Sequence, residues 1–167
     1  SVAAMMLFEE GLLRLDHEVH RYIPEFQDVM VYAGGTAEKP ELRKPDRAMT
    51  VRDLFLHTSG ITYAFLQQTP VDAIYRAKGI DYSRHAGDLK SFCELLATAP
   101  LVFSPGDRWN YSNSTDVLGR VVEVHQGVAP VLAVELGAPR VIGEAIDGLG
   151  GEVPPGPVRG HVPHAGP

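Results

Sequence analysis

The stretch from Pro105 to Asn113 constrains the fold of this chain most, because it requires a reversal of the chain directly before a helix. Proline presets the first central angle of a turn and glycine tolerates the second, so Pro105-Gly106 predicts the reversal. Residues 112–115 are all good helix N-caps. The apolar residues after them recur at helical spacing, namely Val117, Leu118, Val121 and Val122. The sequence therefore predicts that Tyr111 lies on a loop leading into a helix N-terminus.

That position bears on the chemistry of Tyr111. The amides of a first helical turn lack intrahelical partners, and the helix dipole places its positive end there, so negative charge such as a phenolate is favoured. The alternative interpretation is that Tyr111 and Trp109 only anchor the loop, since buried phenols usually just find a hydrogen-bond partner. For Trp109 we expect a place in the core, where Trp109→Ala would cost roughly 3–5 kcal/mol.

Shorter helices are predicted upstream of this loop, each from an apolar stripe with a start or stop residue. The predicted spans are residues 1–10 before Gly11, a helix from the capping-box-like pair Thr50 and Asp53 to about His57, a helix from Thr69-Pro70 to Gly79, and Asp88 to Ala99. No capping segment precedes residues 1–10, so we expect the chain to start inside a helix. Localisation is therefore not predicted.

Less regular segments separate these helices. Asp16 is placed to cap a short turn that carries Val19 and Ile23 toward the core. Residues 29–32 form an apolar run typical of a strand, and residues 33–49 are predicted to be a loop because glycine and proline interrupt them.

Several stretches together resemble one family. Tyr111-Ser112-Asn113 after Pro105-Gly106 resembles a Y-x-N element, and residues 49–60 resemble a T-x-x-x-L-L-x-H-T-S-G signature. Residues 9–26 and 118–123 resemble the segments that accompany these elements in the serine β-lactamase and penicillin-binding-protein superfamily, in its class C and carboxylesterase-like (family VIII esterase-like) branch. The resemblance covers residues 1–127 in the family's order. It implies an α+β fold of the β-lactamase/transpeptidase type, present as an incomplete, mostly helical region.

The resemblance also implies a chemistry. In that family a serine of an S-x-x-K motif attacks a carbonyl to form an acyl-enzyme, and the lysine with the Y-x-N tyrosine handles the serine proton. By this match Tyr111 is the catalytic proton-transfer residue and Asn113 binds the substrate. No serine of this chain is followed three residues later by lysine, and we identify no strand that matches the family's K-T-G, H-x-G or W-x-G element. We therefore expect the chain alone to be inactive.

The parent protein is expected to be a serine hydrolase without a cofactor that acts on a small-molecule ester or amide. The Tyr-Ser-Asn triplet and the Leu56 to Gly60 context favour a carboxylesterase. A β-lactamase or D-alanyl-D-alanine peptidase is one alternative. A non-catalytic truncated pseudoenzyme or binding module is the other.

Other candidate residues are better explained by structural or solvent-exposed roles. His57 beside Ser59 invites a Ser-His interpretation, but a histidine at a helix end is more often structural. His17 and His20 have a spacing that can bind zinc, yet no third ligand is near and a solvated face is favoured. Cys93 lies on an apolar stripe, which predicts an inert buried thiol. His161 and His164 fall in the C-terminal tail.

Composition excludes some classes of function and divides the chain. The net charge is −6 and the basic residues are scattered, so no nucleic-acid partner is predicted. No apolar run approaches the length of a membrane span. Residues 128–167 are rich in glycine and proline, do not match the family, and are predicted to be a weakly ordered tail. A frameshift or an artificial junction near residues 125–130 is our hypothesis for this change of composition. The oligomeric state is left open.

Overall fold

The computed structural model describes the backbone of residues 1–136 and the side chains of residues 1–125. Within these residues, helices and a small antiparallel hairpin form an α+β arrangement, as expected. The helices are α1 (Val2–Glu9), α2 (Val51–Leu56), α3 (Pro70–Lys78), α4 (Leu89–Ala97) and α5 (Ser114–Leu136), and the strands are β1 (Val31–Gly35) and β2 (Pro40–Arg43). Short 3-10 turns lie at Val19–Arg21, Pro24–Phe26, Ala64–Leu66 and Tyr82–Arg84.

The predicted helices are confirmed, and side-chain caps explain where α2, α3 and α4 begin. The Thr50 hydroxyl accepts from the Asp53 amide and the Asp53 carboxylate accepts from the Thr50 amide, which closes a capping box at the start of α2. Thr69 and Asp72 repeat this arrangement at α3. Asp88 caps α4 by accepting from the Ser91 amide at 2.8 Å.

The hairpin corrects the prediction for residues 29–49. Strand β1 begins at Val31 instead of Val29, and β2 lies in the stretch predicted to be a loop. Val31 pairs with Arg43 in an antiparallel register, and a bulge interrupts the ladder between Tyr32 and Gly34. Val31 also bridges Leu101 in parallel, which ties the hairpin to the segment before the Pro105-Gly106 turn.

The predicted cap at Asp16 is wrong. The Asp16 carboxylate instead pairs with the Arg14 guanidinium at 2.8 and 3.0 Å on the surface. The turn at Val19–Arg21 follows Glu18 without a side-chain cap. A backbone bond fixes it, because the Val19 amide donates to the Met49 carbonyl at 2.8 Å.

The core gathers the apolar faces of the helices and Val31 of the hairpin. Cys93 is fully buried in it, and burial raises the pKa of its thiol to about 12, in agreement with an inert side chain. Trp109 is not part of the core, because 65% of its surface is exposed. The largest fully buried side chains are Tyr75, Phe92, Leu13, Leu54, Ile61, Ile80, Leu96, Leu118, Val19, Val31, Val51 and Val71.

Residues 1–129 form one compact unit, and the backbone of α5 continues as helix to Leu136. None of the helices within residues 1–136 is long and apolar enough to cross a membrane. The predicted weakly ordered tail covers residues 128–167. Its first part, residues 128–136, belongs to α5 instead, and the remainder, with His161 and His164, lies outside the described residues.

Candidate active site

The turn at Pro105-Gly106 rests on a partly buried ion pair between Arg47 and Asp53 at α2. The Arg47 guanidinium donates to both Asp53 carboxylate oxygens, at 2.6 and 2.7 Å. Burial alone would raise the pKa of Asp53, but hydrogen bonds from Arg47, Thr50 and Thr58 outweigh it and hold the pKa below its usual value. A Cβ at Gly106 would displace the Arg47 guanidinium from this pair, and the φ of 95° also favours glycine at this position.

Asparagine side chains then fasten the loop that carries Tyr111 to the segment after α2. Asn110 Nδ2 donates to the Ile61 carbonyl and Asn113 Nδ2 donates to the Thr62 carbonyl, each at 2.9 Å. The Asn113 carbonyl accepts from the Asp116 and Val117 amides, which makes Asn113 the N-cap residue of α5. Tyr111 therefore lies just before the helix N-terminus, where the sequence predicts it.

A buried chain of hydroxyls runs beneath this loop. His57 Nδ1 lies 3.2 Å from Ser112 Oγ, which lies 2.7 Å from Ser114 Oγ, and Ser114 Oγ lies 2.7 Å from Ser59 Oγ. The three hydroxyl groups belong to fully buried serines, and the Ile61 amide donates to the last of them. Burial lowers the pKa of His57, which favours the neutral imidazole. His57 and Ser59 are thus linked only through other hydroxyls, an arrangement that fits a structural role for both.

Aromatic rings form a row across the outer face of the loop. The ring centroids are 4.8 Å apart for Phe65 and Tyr63, 5.1 Å for Tyr63 and Tyr111, and 5.5 Å for Tyr111 and His57. Trp109 extends the row beside His57 at 6.2 Å. Tyr111 is half exposed. Its phenol is therefore accessible to a substrate.

Burial and the neighbouring Asp116 and Tyr111 raise the pKa of Tyr63 to about 12. The Tyr63 phenol consequently stays protonated at neutral pH and can act there as a hydrogen-bond donor. Sequence reasoning missed this residue. The only pattern that pointed to it is the aromatic pair Tyr63 and Phe65 just after the residues resembling the T-x-x-x-L-L-x-H-T-S-G signature.

A cavity of about 330 Å³ lies against this row and brings the predicted residues Tyr111 and Asn113 together. Asp116, from the first turn of α5, also faces it, and burial raises the pKa of this carboxyl group. Asn113 is 1% exposed, so only its edge reaches the cavity. The lining residues are Tyr63, Ala64, Phe65, Ile80, Asp81, Tyr82, Ser83, Tyr111, Asn113 and Asp116.

The histidines considered for zinc have other partners. His17 Nδ1 lies 2.6 Å from the Tyr22 hydroxyl, and His20 Nε2 lies 3.3 Å from a Glu18 carboxylate oxygen. Within the part of the chain that the structure describes, no group of three or more histidine, cysteine or acidic side chains could hold a metal ion.

The sequence matches the protein family described as Beta-lactamase over residues 1–134. Esterase EstB of Burkholderia gladioli is 35% identical over 137 residues, which cover 81% of this chain and 32% of that protein. Lovastatin esterase of Penicillium rubens is 36% identical over 124 residues, which cover 74% of this chain and 30% of that protein.

The fold is similar to that of a solved structure, EstCE1, a hydrolase with promiscuous acyltransferase activity. The TM-score is 0.60 at 31% identity, and the match covers 75% of this chain and 30% of that one. The chain spans only about three tenths of the length of the curated relatives it matches, 29% for the first of them. The match of the family to most of the chain, with Y-x-N and the preceding loop in place, shows that the chain belongs to the beta-lactamase family.

Proposed function

We propose that this chain supplies the tyrosine side of the active site in a serine hydrolase that cleaves small carboxylic esters through an acyl-enzyme. The observation that carries the proposal is the placement of Tyr111 and Asn113 on one cavity at the N-terminus of α5. The names of the relatives support an ester as the substrate, since two of them are esterases.

Tyr111 is proposed to take the proton of the nucleophilic serine. A general base must lie within hydrogen-bond reach of the hydroxyl and must tolerate loss of its own proton. The half-exposed phenol meets the requirement for access, and it lies just before the N-terminus of α5, at the positive end of the helix dipole. Tyr63, whose pKa is about 12, remains protonated beside it and does not compete for that role.

Asn113 is proposed to position the substrate carbonyl or amide from the cavity wall. The bond from its Nδ2 to the Thr62 carbonyl fixes the side-chain amide in one orientation. A fixed orientation is what a group that aligns a substrate requires.

The serine nucleophile and its lysine are proposed to lie outside these 167 residues, since none of the serines present is followed three positions later by lysine. The serines closest to Tyr111 on the buried hydroxyl chain are fully enclosed, so they are unsuited to attack a substrate. The 167-residue chain is therefore expected to have no esterase activity by itself.

The test compares hydrolysis of 4-nitrophenyl butyrate by the 167-residue chain and by the full-length product of its gene. We expect turnover only by the longer protein, and a fall in kcat of roughly 10²- to 10⁴-fold for Tyr111→Phe in it. Tyr82→Phe, in the wall of the same cavity, is the matched control and should change kcat only a few-fold.

Retained activity in Tyr111→Phe would remove Tyr111 from the mechanism. Turnover by the 167-residue chain would place a nucleophile within it. Cleavage of nitrocefin or of a D-alanyl-D-alanine peptide in preference to the ester would reassign the substrate. A longer protein inactive on all three would favour the non-catalytic alternative.

A further inference from the structure

We infer that the cavity beside Tyr111 binds a positively charged nitrogen, such as a quaternary or primary ammonium group, and that Asp116 selects for this charge. The inference deepens the proposed function, on which it rests for the role of the cavity, by naming the chemical class of the ester substrate: one with a cationic nitrogen in its acyl or alcohol part.

The walls of the cavity are aromatic. Four of the residues that line it are Tyr63, Phe65, Tyr82 and Tyr111. The Tyr63 ring stacks on Phe65 and tilts against Tyr111, and the other three side chains are 46–64% exposed. Aromatic faces attract a cation within about 6 Å of the ring centroid through their negative quadrupole. Aromatic walls also accept an apolar group, so the charge of the lining residues must decide whether a cation or an apolar group binds better.

The charge of the lining is entirely negative. Asp81 and Asp116 are both present, and no lysine, arginine or histidine is among the lining residues. The Asp81 carboxylate already has partners, because it accepts from the Ser83 amide at 3.0 Å and hydroxyl at 2.6 Å and lies 3.4 Å from Arg84 Nε. Asp81 is therefore neutralised within its own turn.

Asp116 is the carboxylate left without a cation. Among residues 1–125 no salt bridge or side-chain hydrogen bond reaches it, and its own backbone amide is the group that favours its ionised form. It is half-buried, and burial raises its pKa. A partly desolvated carboxylate of this kind is stabilised when a ligand brings an opposite charge. The same carboxylate helps to raise the pKa of Tyr63, so its field extends to the aromatic wall.

The cavity volume fits a small ligand group. Ligand pockets usually measure about 300–1,000 Å³, and a volume of about 330 Å³ is at the lower end of that range. A trimethylammonium or primary ammonium group on a short ester matches this size.

A purely structural role for Asp116 predicts something different. An acidic residue in a first helical turn interacts favourably with the helix dipole, which affects stability but gives no preference for the charge of a ligand. Charge selectivity of binding therefore distinguishes the inferred role from the structural one.

The experiment is an NMR titration of the 167-residue chain with choline and with its neutral isostere 3,3-dimethylbutan-1-ol. We expect choline to bind about tenfold more tightly, with shift changes at Tyr63, Tyr111 and Asp116. Asp116→Asn should abolish this preference and Asp116→Glu should retain it. Asp81→Asn is the matched control, since its carboxylate already has partners, and should also retain the preference.

Equal affinity of the wild-type chain for the two ligands would overturn the inference whether or not any variant folds. So would a choline preference that survives in Asp116→Asn. Neither readout involves catalysis. Failure here would therefore leave the proposed esterase function standing, and failure of the esterase assay would leave charge-selective binding standing.

Discussion

Phe103 and Trp109 flank the turn at Pro105-Gly106, and the two aromatic side chains have opposite environments. Phe103 is buried, with the Arg108 guanidinium 5.0 Å from its ring centroid, whereas Trp109 is largely exposed beside His57. The loop is thus anchored from its N-terminal side by Phe103. A sequence pattern cannot distinguish the two, because the turn geometry decides which ring points inward.

Trp109→Ala is therefore expected to change the free energy of unfolding by less than about 1 kcal/mol, since an exposed side chain leaves no cavity behind. Phe92→Ala is the comparison, because Phe92 is fully buried, and it should cost about 3–5 kcal/mol. Urea denaturation of both variants measures the difference. A loss in Trp109→Ala as large as in Phe92→Ala would show that Trp109 is buried in solution.

The sequence suffices to predict Tyr111 and Asn113 as neighbours on one loop, and the structure places both on the cavity. It does not suffice to predict Tyr63 or Asp116 beside them. Tyr63 reaches Tyr111 only because Asn110 and Asn113 fasten their loop to the carbonyls of Ile61 and Thr62. Such a long-range pairing has no local pattern in the chain.

The turn that follows α2 contacts the extended segment around Leu101 at Gly60, which has a φ of 83°. The Val102 amide donates to the Gly60 carbonyl at 2.8 Å, and a Cβ at Gly60 would lie 2.3 Å from the Phe103 carbonyl oxygen. Gly79, at the end of α3, has a similar φ of 70°, but a Cβ there would meet no atom within 4 Å. The two glycines therefore have similar backbone conformations, but only Gly60 lies against a neighbouring backbone segment.

Gly79→Ala should cost roughly 1–2 kcal/mol of the free energy of unfolding, from left-handed strain alone. Gly60→Ala should cost a further ~1–3 kcal/mol, because the backbone of residues 101–103 must move away from the new methyl group. Thermal and urea unfolding of both variants provide the measurement. Equal losses would mean that the approach of Gly60 to Phe103 is not tight in solution.

Among the secondary-structure elements, those with local capping residues are the ones that the sequence predicts. Helices α2, α3 and α4 carry their own caps at Thr50, Thr69 and Asp88, so sequence spacing alone locates them. Strand β2 has mostly exposed side chains and no apolar alternation, and it exists because it pairs with β1. A strand of this kind is specified by its partner, which explains why the sequence predicts a loop there.

For the molecule as a whole, the two half-buried histidines His57 and His125 affect how stability responds to mild acid. Burial lowers the pKa of His57 and of His125 in the folded chain, while the unfolded value is about 6.5. Between the folded and unfolded values the unfolded chain binds more protons, so the free energy of unfolding falls as the pH drops below about 6.5. Asp53, with a lowered pKa, adds a loss only nearer pH 4, and the raised pKa of Asp116 acts in the opposite direction at acidic pH.

His57→Asn should make the fall in stability between pH 7.5 and pH 5.5 shallower than in the wild-type chain. Asparagine tolerates the left-handed φ of 54° at this position and can still bond Ser112, but it has no proton to gain in this range. Urea denaturation at several pH values gives the slope for each protein. An unchanged slope in His57→Asn would mean that the pKa of the half-buried His57 imidazole is not lowered in the folded chain.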